Sequence, residues 1–520
     1  MKRRLVGHAA ILAWLTVSNA GAGQASAPQD GPVRTERGLV SGSATASGRV
    51  FKGVPYAAPP VGPLRWRAPR PPEPWEGVRE ARDFGPPCAQ APLRGMTQIS
   101  DMSREDCLTL NIWAPKDKPR GAGRPVMVWI HGGAFTNGSG SSATYDGVHF
   151  ADEGVLLVTL NYRLGVFGFL AHPELSAESP HRASGNYGLE DQIAALRWVR
   201  ANIAAFGGDP ANVTLFGQSA GGASVLALMG SPRAKGLFAR AIVQSGAARD
   251  AIAPARLADA EKRGRALAGP HAIDRLREMD TAAVLRLVQD AAPASARFGP
   301  VIDGDVIQRD PASALRRRSG PALPLLIGSN AREGLGAPDA AALPGAVASA
   351  FGANAARAMR AYGIADGGTG SPDPLLGTAA AQFSTDTTFR CGAVQIAQVS
   401  AARGARTWQY QFEQFVPGRE ALGAAHSFEV PYIFGTLSTT GYSAANYAAA
   451  DRRLSALMTH YWANFAKTGD PNGAGLPKWP AYTSAGTHYV RFSSQLPGDV
   501  QAASDLRGDV CRLFPDSSGR

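Results

Sequence analysis

The sequence predicts an α/β protein with a large, mostly parallel central sheet and helices on both faces. Two short apolar runs rich in β-branched residues, at 125–130 and 155–162, are typical of strands that are buried on both faces. In the helical pattern that follows, apolar residues recur every three or four positions from Ile193 to Phe206. Strands that alternate with helices favour a parallel sheet, because a parallel crossover needs a helix to cover the sheet face.

The helix that ends at Phe206 is stopped by two glycines and a proline, and a strand is predicted at 212–216. A helix follows directly, from the sequence AGGASVLALMG. Further strands are predicted at 240–246, 323–330 and 407–413. We find no internal repeat and treat residues 28–520 as one domain.

Residues 335–380 interrupt this alternation. They are rich in Ala, Gly and Pro, a composition that fits either a helical insertion over the sheet or an irregular surface segment.

Residues 1–27 have the features of a secretion signal. A basic start precedes a short apolar core, from Leu5 to Val17, and small residues follow it. Cleavage is expected between residues 20 and 27. Because the core is shorter than a bilayer span, an uncleaved membrane anchor is the less favoured alternative. We therefore expect a secreted or periplasmic protein without a stable membrane anchor.

Composition and cysteine content narrow the classes of function. Hydrophobic residues make up 44% of the chain and charged residues 18%, which is ordinary for a globular protein. The net charge is +11, but the arginines are scattered, which indicates a solvated basic surface and no nucleic-acid groove. No CxxC pair or His/Cys cluster predicts a metal site. The four cysteines suggest two disulfides in an oxidising compartment, with three pairings open: Cys88, Cys107, Cys391 and Cys511.

The stretch VTLFGQSAGG, at 213–222, puts Ser219 at a bend between a strand and a helix. Gly217 and Gly221 allow the backbone to fold tightly there, so that the hydroxyl would project above the sheet. The N-terminus of the next helix would face charge that develops on a substrate oxygen. A Gly-x-Ser-x-Gly pattern alone is weak in a chain with 60 glycines, but this context makes Ser219 the candidate nucleophile.

A second glycine-rich turn, WIHGGAF at 129–135, follows an earlier strand. A hydrolytic serine needs donors for the oxyanion, and we assign this role to the backbone N–H groups of Gly133, Ala134 and Ala220. His131 lies in the same turn but precedes the nucleophile, and we interpret it as a packing residue.

A base and an acid must come from later in the chain, because sites of this kind have the order serine, acid, histidine. We select His426, in a loop directly after a strand, as the base. Glu333, a few residues past a strong strand, is the expected acid. It would orient the imidazole and stabilise the imidazolium. Asp303 and Asp305 compete for this role, although a Gly-separated Asp pair is more often a turn.

Several stretches together resemble the type-B carboxylesterase and cholinesterase family of the α/β-hydrolase fold. In chain order they are FKGVPYAAPPVGPLRWRAP, EDCLTLNIWAP, NYRLGVFGFL, GNYGLEDQ, GGDPANVTLFGQSAGGASV and HSFEVPYIFG. The resemblance runs from about Val33 to Leu513. It implies a triad of Ser219, Glu333 and His426 and the same three oxyanion donors.

The resemblance also implies disulfides between Cys88 and Cys107 and between Cys391 and Cys511. Two structural ion pairs are implied as well, Arg65 with Glu105 and Arg163 with Asp191. The implied activity is serine carboxylic-ester hydrolysis through an acyl-enzyme, on a small-molecule ester and without a metal or organic cofactor.

Two departures from the choline-ester enzymes of this family narrow the expected substrate. The loop between Cys88 and Cys107 has no aromatic residue to hold a quaternary ammonium, and it contains Arg94 and Arg104. Gln218 precedes the nucleophile, where cholinesterases have Glu. We expect neutral or anionic esters as substrates and no choline esters. The alternatives are hydrolysis of carbamates, amides or long-chain or polymeric esters, and, remotely, a non-catalytic cholinesterase-like binding protein.

Overall fold

The fold is that of a computed structural model, which describes residues 31–91, 101–117, 121, 123–247, 253–293, 295–318, 320–370, 372–439 and 447–514. The expected secretion signal lies outside these residues. The strands are β1 (Val33–Arg34), β2 (Leu39–Ser41), β3 (Ser43–Thr45), β4 (Gly48–Pro55), β5 (Val78–Glu80), β6 (Thr109–Pro115), β7 (Arg124–Ile130), β8 (Leu156–Leu160), β9 (Gly208–Gln218), β10 (Arg240–Gln244), β11 (Ala255–Arg256), β12 (Val301–Ile302), β13 (Leu325–Asn330), β14 (Thr407–Phe412), β15 (His488–Phe492) and β16 (Val500–Ser504).

The α-helices are α1 (Val148–Asp152), α2 (Gly165–Phe169), α3 (Pro173–Glu178), α4 (Tyr187–Asn202), α5 (Ala220–Gly230), α6 (Leu257–Ala268), α7 (Ile273–Glu278), α8 (Thr281–Asp290), α9 (Pro311–Arg317), α10 (Leu343–Phe351), α11 (Ala355–Ala361), α12 (Ala379–Thr385), α13 (Cys391–Ala402), α14 (Val430–Phe434), α15 (Ala449–Thr468) and α16 (Gly508–Cys511). A π-helical turn, Asp386–Arg390, joins α12 to α13.

An 11-stranded sheet forms the centre of the molecule, in the order β16-β15-β14-β13-β10-β9-β7-β8-β6-β4-β3. Neighbouring strands from β8 to β15 are parallel. The strands at both edges pair antiparallel. The predicted mostly parallel sheet is therefore confirmed, and the six predicted strands correspond to β7, β8, β9, β10, β13 and β14. The sequence predicts no strand at β4, β15 or β16, because these strands are partly exposed and lack a continuous apolar run.

The sheet is covered by apolar side chains on both faces, as the alternation along β7 shows. Val126, Val128 and Ile130 join the cluster that includes α4 and α5. Met127 and Trp129 point the other way, into the cluster that includes α15. These five side chains are fully buried, and burying each of the four that are Val, Ile or Met contributes about 1.5–3 kcal/mol.

Parallel pairing brings the carboxyl ends of β7, β9, β10, β13 and β14 to one edge of the sheet. Loops that follow parallel strands are where open α/β sheets bind ligands. The segments that follow these five strands begin at residues 131, 219, 245, 331 and 413, and they contain every residue that the sequence assigns to the triad and the oxyanion site.

Residues 335–380 contain α10 and α11 and lead into α12. Their apolar side chains form a separate cluster, in which Phe351 and Tyr362 pack near Val510 of α16. Disulfides join Cys88 to Cys107 and Cys391 to Cys511, which is the pairing that the resemblance implies. Among the described residues, no helix is long and apolar enough to cross a membrane.

Two buried ion pairs fix the loops around this sheet. Arg65 lies 2.6 Å from Glu105, and Arg163 lies 2.7 Å from Asp191, as the resemblance implies. All four side chains are less than a tenth exposed, so these charges are part of the scaffold.

Candidate active site

The bend between β9 and α5 holds Ser219 in a strained conformation. Its φ of 57° and ψ of −126° are unusual for a residue with a side chain. A Cβ atom on Gly221 would lie 2.0 Å from the carbonyl oxygen of Ile130, so this position accepts only glycine. The Ser219 N–H donates to the carbonyl of Gln244 at 2.9 Å, which ties the bend to the neighbouring strand.

The glycine-rich turn after β7 lies against this serine. A Cβ atom on Gly132 would be 3.1 Å from Ser219 Cβ. The next two residues, Gly133 and Ala134, have φ angles of 107° and 53°. Within the described residues, the N–H groups of Gly133, Ala134 and Ala220 donate no hydrogen bond. These three donors are thus available to a ligand.

His131 supports the glycine-rich turn from below. Its ring stacks on Tyr162 with centroids 4.5 Å apart, and Nδ1 donates to the carbonyl of Gly132 at 2.8 Å. Burial lowers the pKa of His131 to about 4, so the imidazole is neutral. This environment agrees with the packing role that the sequence suggests.

Glu333 and His426 are in direct contact. His426 Nδ1 lies 2.6 Å from Glu333 Oε2, and the other carboxylate oxygen accepts from Ser245 Oγ at 2.7 Å and from the Asn330 N–H at 2.8 Å. Glu333 is only 1% exposed, so water does not solvate its carboxylate, but both carboxylate oxygens have hydrogen-bond partners within the protein. It holds the proton on Nδ1 and leaves Nε2 as an acceptor.

The pKa of His426 is raised above its usual 6.5. Burial alone would lower this pKa, but the charge and hydrogen bond of Glu333 and the charge of Glu429 outweigh that effect. A phenyl ring, that of Phe389, also stacks on the imidazole with centroids 5.0 Å apart.

Gln218, which precedes Ser219, contacts the imidazole of His426. Its Nε2 lies 3.2 Å from His426 Nε2, and it donates this hydrogen bond when the histidine is neutral. No hydrogen bond between Ser219 Oγ and His426 occurs in the described part of the chain. A hydrogen bond from the Ser219 hydroxyl to His426 Nε2 would require this amide to move away. Such contacts commonly tighten only when substrate is bound.

A second carboxylate, that of Glu429, is fully buried beside this pair. It accepts from Asn330 Nδ2 at 2.8 Å and from Gln244 Nε2 at 3.4 Å. Burial, followed by the charge of Glu333, raises the pKa of Glu429 to about 7. No pattern in the sequence predicts that Glu429, Ser245 and Phe389 lie at this site. The only local signal is that Glu429 lies three residues after His426.

The competing acids have other roles. Asp303 Oδ1 accepts from the N–H groups of Asp305 and Ile307, which makes a turn. Asp305 pairs with Arg233 at 2.7 Å. In the first disulfide loop, Arg104 donates to two carbonyl groups of its own loop, and Arg94 lies outside the described residues. No group of three or more His, Cys, Asp or Glu side chains in the described ranges is arranged to hold a metal ion.

Comparisons with known proteins agree with this architecture. The carboxylesterase family model matches residues 29–344 and 354–512. The chain is 37% identical over 510 residues to the fumonisin B1 esterase of Sphingopyxis macrogoltabida, covering 94% of this chain and 92% of that protein. It is 36% identical over 501 residues to the para-nitrobenzyl esterase of Bacillus subtilis (strain 168), covering 93% and 98%.

Among solved structures, the carboxylesterase of Geobacillus stearothermophilus superposes with a TM-score of 0.78 at 35% identity, over 93% of this chain and 100% of that chain. A para-nitrobenzyl esterase superposes with a TM-score of 0.79 at 34% identity, with the same coverage. The fold is therefore the α/β-hydrolase fold. The chain belongs to the carboxylesterase family and is a serine carboxylic-ester hydrolase.

Proposed function

We propose that Ser219, His426 and Glu333 are the catalytic triad and that hydrolysis proceeds through an acyl-enzyme on Ser219. The observation that carries this proposal is the 2.6 Å contact between His426 Nδ1 and a fully hydrogen-bonded, buried Glu333. It leaves Nε2 as the acceptor at the same sheet edge where Ser219 bends out of β9.

In the first half of the cycle, Ser219 Oγ attacks the ester carbonyl carbon while its proton passes to His426 Nε2. The developing oxyanion accepts hydrogen bonds from the N–H groups of Gly133, Ala134 and Ala220, whose availability supports this role. The alcohol then leaves with the proton from Nε2. In the second half, water gives its proton to Nε2, attacks the acyl carbon and releases the acid.

The proposed substrates are small neutral or anionic carboxylic esters, and choline esters are excluded. The loop from Cys88 to Cys107 has no aromatic side chain for a quaternary ammonium. The amide of Gln218 adds no negative charge next to the base. Relatives named as a fumonisin B1 esterase and a para-nitrobenzyl esterase support small-molecule esters as the substrate class.

We also propose that the chain is exported and loses its first 20–27 residues. The two disulfides support an extracellular or periplasmic location, because cytosolic thiols are kept reduced. Mass spectrometry of the mature N-terminus would test this, and an intact Met1 on secreted protein would contradict it.

The decisive experiment measures hydrolysis of p-nitrophenyl esters from acetate to laurate by the wild type and by Ser219→Ala. We expect activity to fall by at least about a thousandfold in the variant, because removing the nucleophile removes the acyl-enzyme route. Ser224→Ala is the matched control, since Ser224 is also buried, lies in α5 and accepts a hydrogen bond from Gln192. Full activity in Ser219→Ala would overturn the proposal.

A second assay tests the exclusion of choline esters. It compares acetylcholine with 3,3-dimethylbutyl acetate, which has the same shape without the positive charge. We expect kcat/KM to be no higher for the cation. Gln218→Glu should raise the ratio in favour of the cation, because it puts a negative charge beside His426. A wild-type preference for acetylcholine would contradict the proposed substrate class.

A further inference from the structure

The ring of Phe389 covers one face of the proposed base. The planes of Phe389 and His426 are 7° from parallel, with centroids 5.0 Å apart, and Phe389 is 2% exposed. Glu333 holds the edge of the same imidazole through Nδ1. A rotation of the imidazole about the Cβ–Cγ bond of His426 would therefore break a hydrogen bond and a stacking contact together.

Phe389 belongs to the π-helical turn between α12 and α13. Such turns insert one extra residue into a helix, which redirects the side chains, and they occur frequently at functional sites. Asp386, fully buried, fixes this turn: it pairs with Arg390 inside the turn, with Arg507 at 3.0 Å and with the Tyr362 hydroxyl at 3.1 Å.

The same turn also contacts the segment that carries the acid. Arg390 donates to the carbonyl of Ala331, two residues before Glu333. The N–H of Glu333 donates to Thr385 Oγ1 at 3.1 Å, immediately before the turn begins. One short element thus reaches both members of the Glu333–His426 pair.

We propose that the π-helical turn is a positioning element for the base, and that Phe389 both fixes the His426 imidazole and stabilises its protonated form through the face of the phenyl ring. The inference rests on the proposed function, in which His426 takes the serine proton. The imidazole is cationic only after it has taken that proton. The face of the phenyl ring attracts the cationic imidazolium more strongly than it attracts the neutral imidazole. The contact with Phe389 therefore stabilises the transition state more than it stabilises the resting enzyme.

The test compares three variants in kcat, KM and the pH dependence of kcat/KM. Phe389→Leu removes the ring face, and Phe389→Tyr keeps it. Phe383→Leu is the matched control, because Phe383 is also buried, lies on the adjoining α12, and packs against Phe351 and Tyr362. Active-site titration with an organophosphate normalises each rate to the competent sites.

We expect Phe389→Leu to lower kcat by about tenfold with KM changed by less than about twofold. The acid limb of its pH profile should move to lower pH, because the ring face that stabilises the imidazolium is lost. Glu333 and Glu429, which also raise the pKa of His426, remain in this variant. Phe389→Tyr should retain the wild-type limb, and Phe383→Leu should retain both kcat and the limb. An unchanged kcat and acid limb in Phe389→Leu would overturn the inference.

Two further measurements separate the possible failures. His426→Gln with wild-type activity would refute the proposed function itself, whereas an inactive His426→Gln beside a normal Phe389→Leu would refute only the role of the phenyl ring. If Phe389→Leu does not fold, histidine-selective NMR of the wild type decides. The Cε1 proton of His426 should be shifted upfield by the ring face, and an unshifted proton would overturn the inference.

Discussion

Glu429 should make the protein less stable as the pH rises. Its pKa is raised from 4.5 to about 7 by burial and by the charge of Glu333, so between these values the folded state binds more protons than the unfolded state. Stability must then fall with rising pH across this window. Above pH 7, the charged carboxylate costs about 3 kcal/mol.

The substitution Glu429→Gln removes that charge and keeps the shape. The two neighbours of the carboxylate, Asn330 Nδ2 and Gln244 Nε2, are both donors, so the new amide group meets one of them with its own N–H. This mismatch costs about 1 kcal/mol. We expect the variant to be about 2 kcal/mol more stable than the wild type at pH 8 and about 1 kcal/mol less stable at pH 4.5.

The same substitution should lower activity. The charge of Glu429 contributes to the raised pKa of His426, so its removal destabilises the imidazolium and moves the acid limb of kcat/KM to lower pH. Urea unfolding at pH 4.5 and pH 8 measures the difference in stability. The pH dependence of p-nitrophenyl acetate hydrolysis measures the shift of the acid limb. Glu73→Gln, at an exposed position, is the control. A stability difference that is the same at both pH values would refute the reasoning.

Three other predictions concern the base, the scaffold and the bend. Wild-type kcat/KM should fall on acidification with a midpoint above pH 6.5, because in the proposed mechanism His426 must be neutral to accept the serine proton; a profile with a midpoint below 6.5 would contradict this. Asp191→Asn should lower the free energy of unfolding, measured by urea titration, by about 3–5 kcal/mol, because Arg163 stays buried without its partner. Glu278→Gln, in an exposed ion pair, should change this free energy by less than about 1 kcal/mol. Gly221→Ala should abolish organophosphate labelling, because its Cβ would overlap a carbonyl oxygen of β7; normal labelling would argue against the bend described above.

The parts of the fold that the sequence predicts are those with a local signal. Continuous β-branched runs mark the central strands, and the glycines around Ser219 mark the bend, because both patterns are required by the immediate backbone. Glu333 and His426 follow from their order along the chain. The contact of Phe389 with His426 joins two segments whose apposition depends on the whole sheet, and a phenylalanine in a helix gives no local indication of it.

Gln218 shows the same limit in another way. The sequence indicates that its side chain is neutral. The structure shows that its amide is hydrogen-bonded to Nε2 of His426, the atom that accepts the serine proton in the proposed mechanism. Side-chain direction at a strained bend depends on the turn after β7 and on the loop that carries the base. Neither of these is encoded near residue 218.

The residues of the site follow strands that lie far apart in the chain. This arrangement affects how the enzyme folds. Residues 131 to 426 must meet at one sheet edge, so no early, locally folded fragment contains a working site. Chains dominated by such long-range pairings fold slowly. During refolding, the far-ultraviolet circular dichroism of the helices should therefore recover first, and turnover should appear only with the last step of sheet assembly.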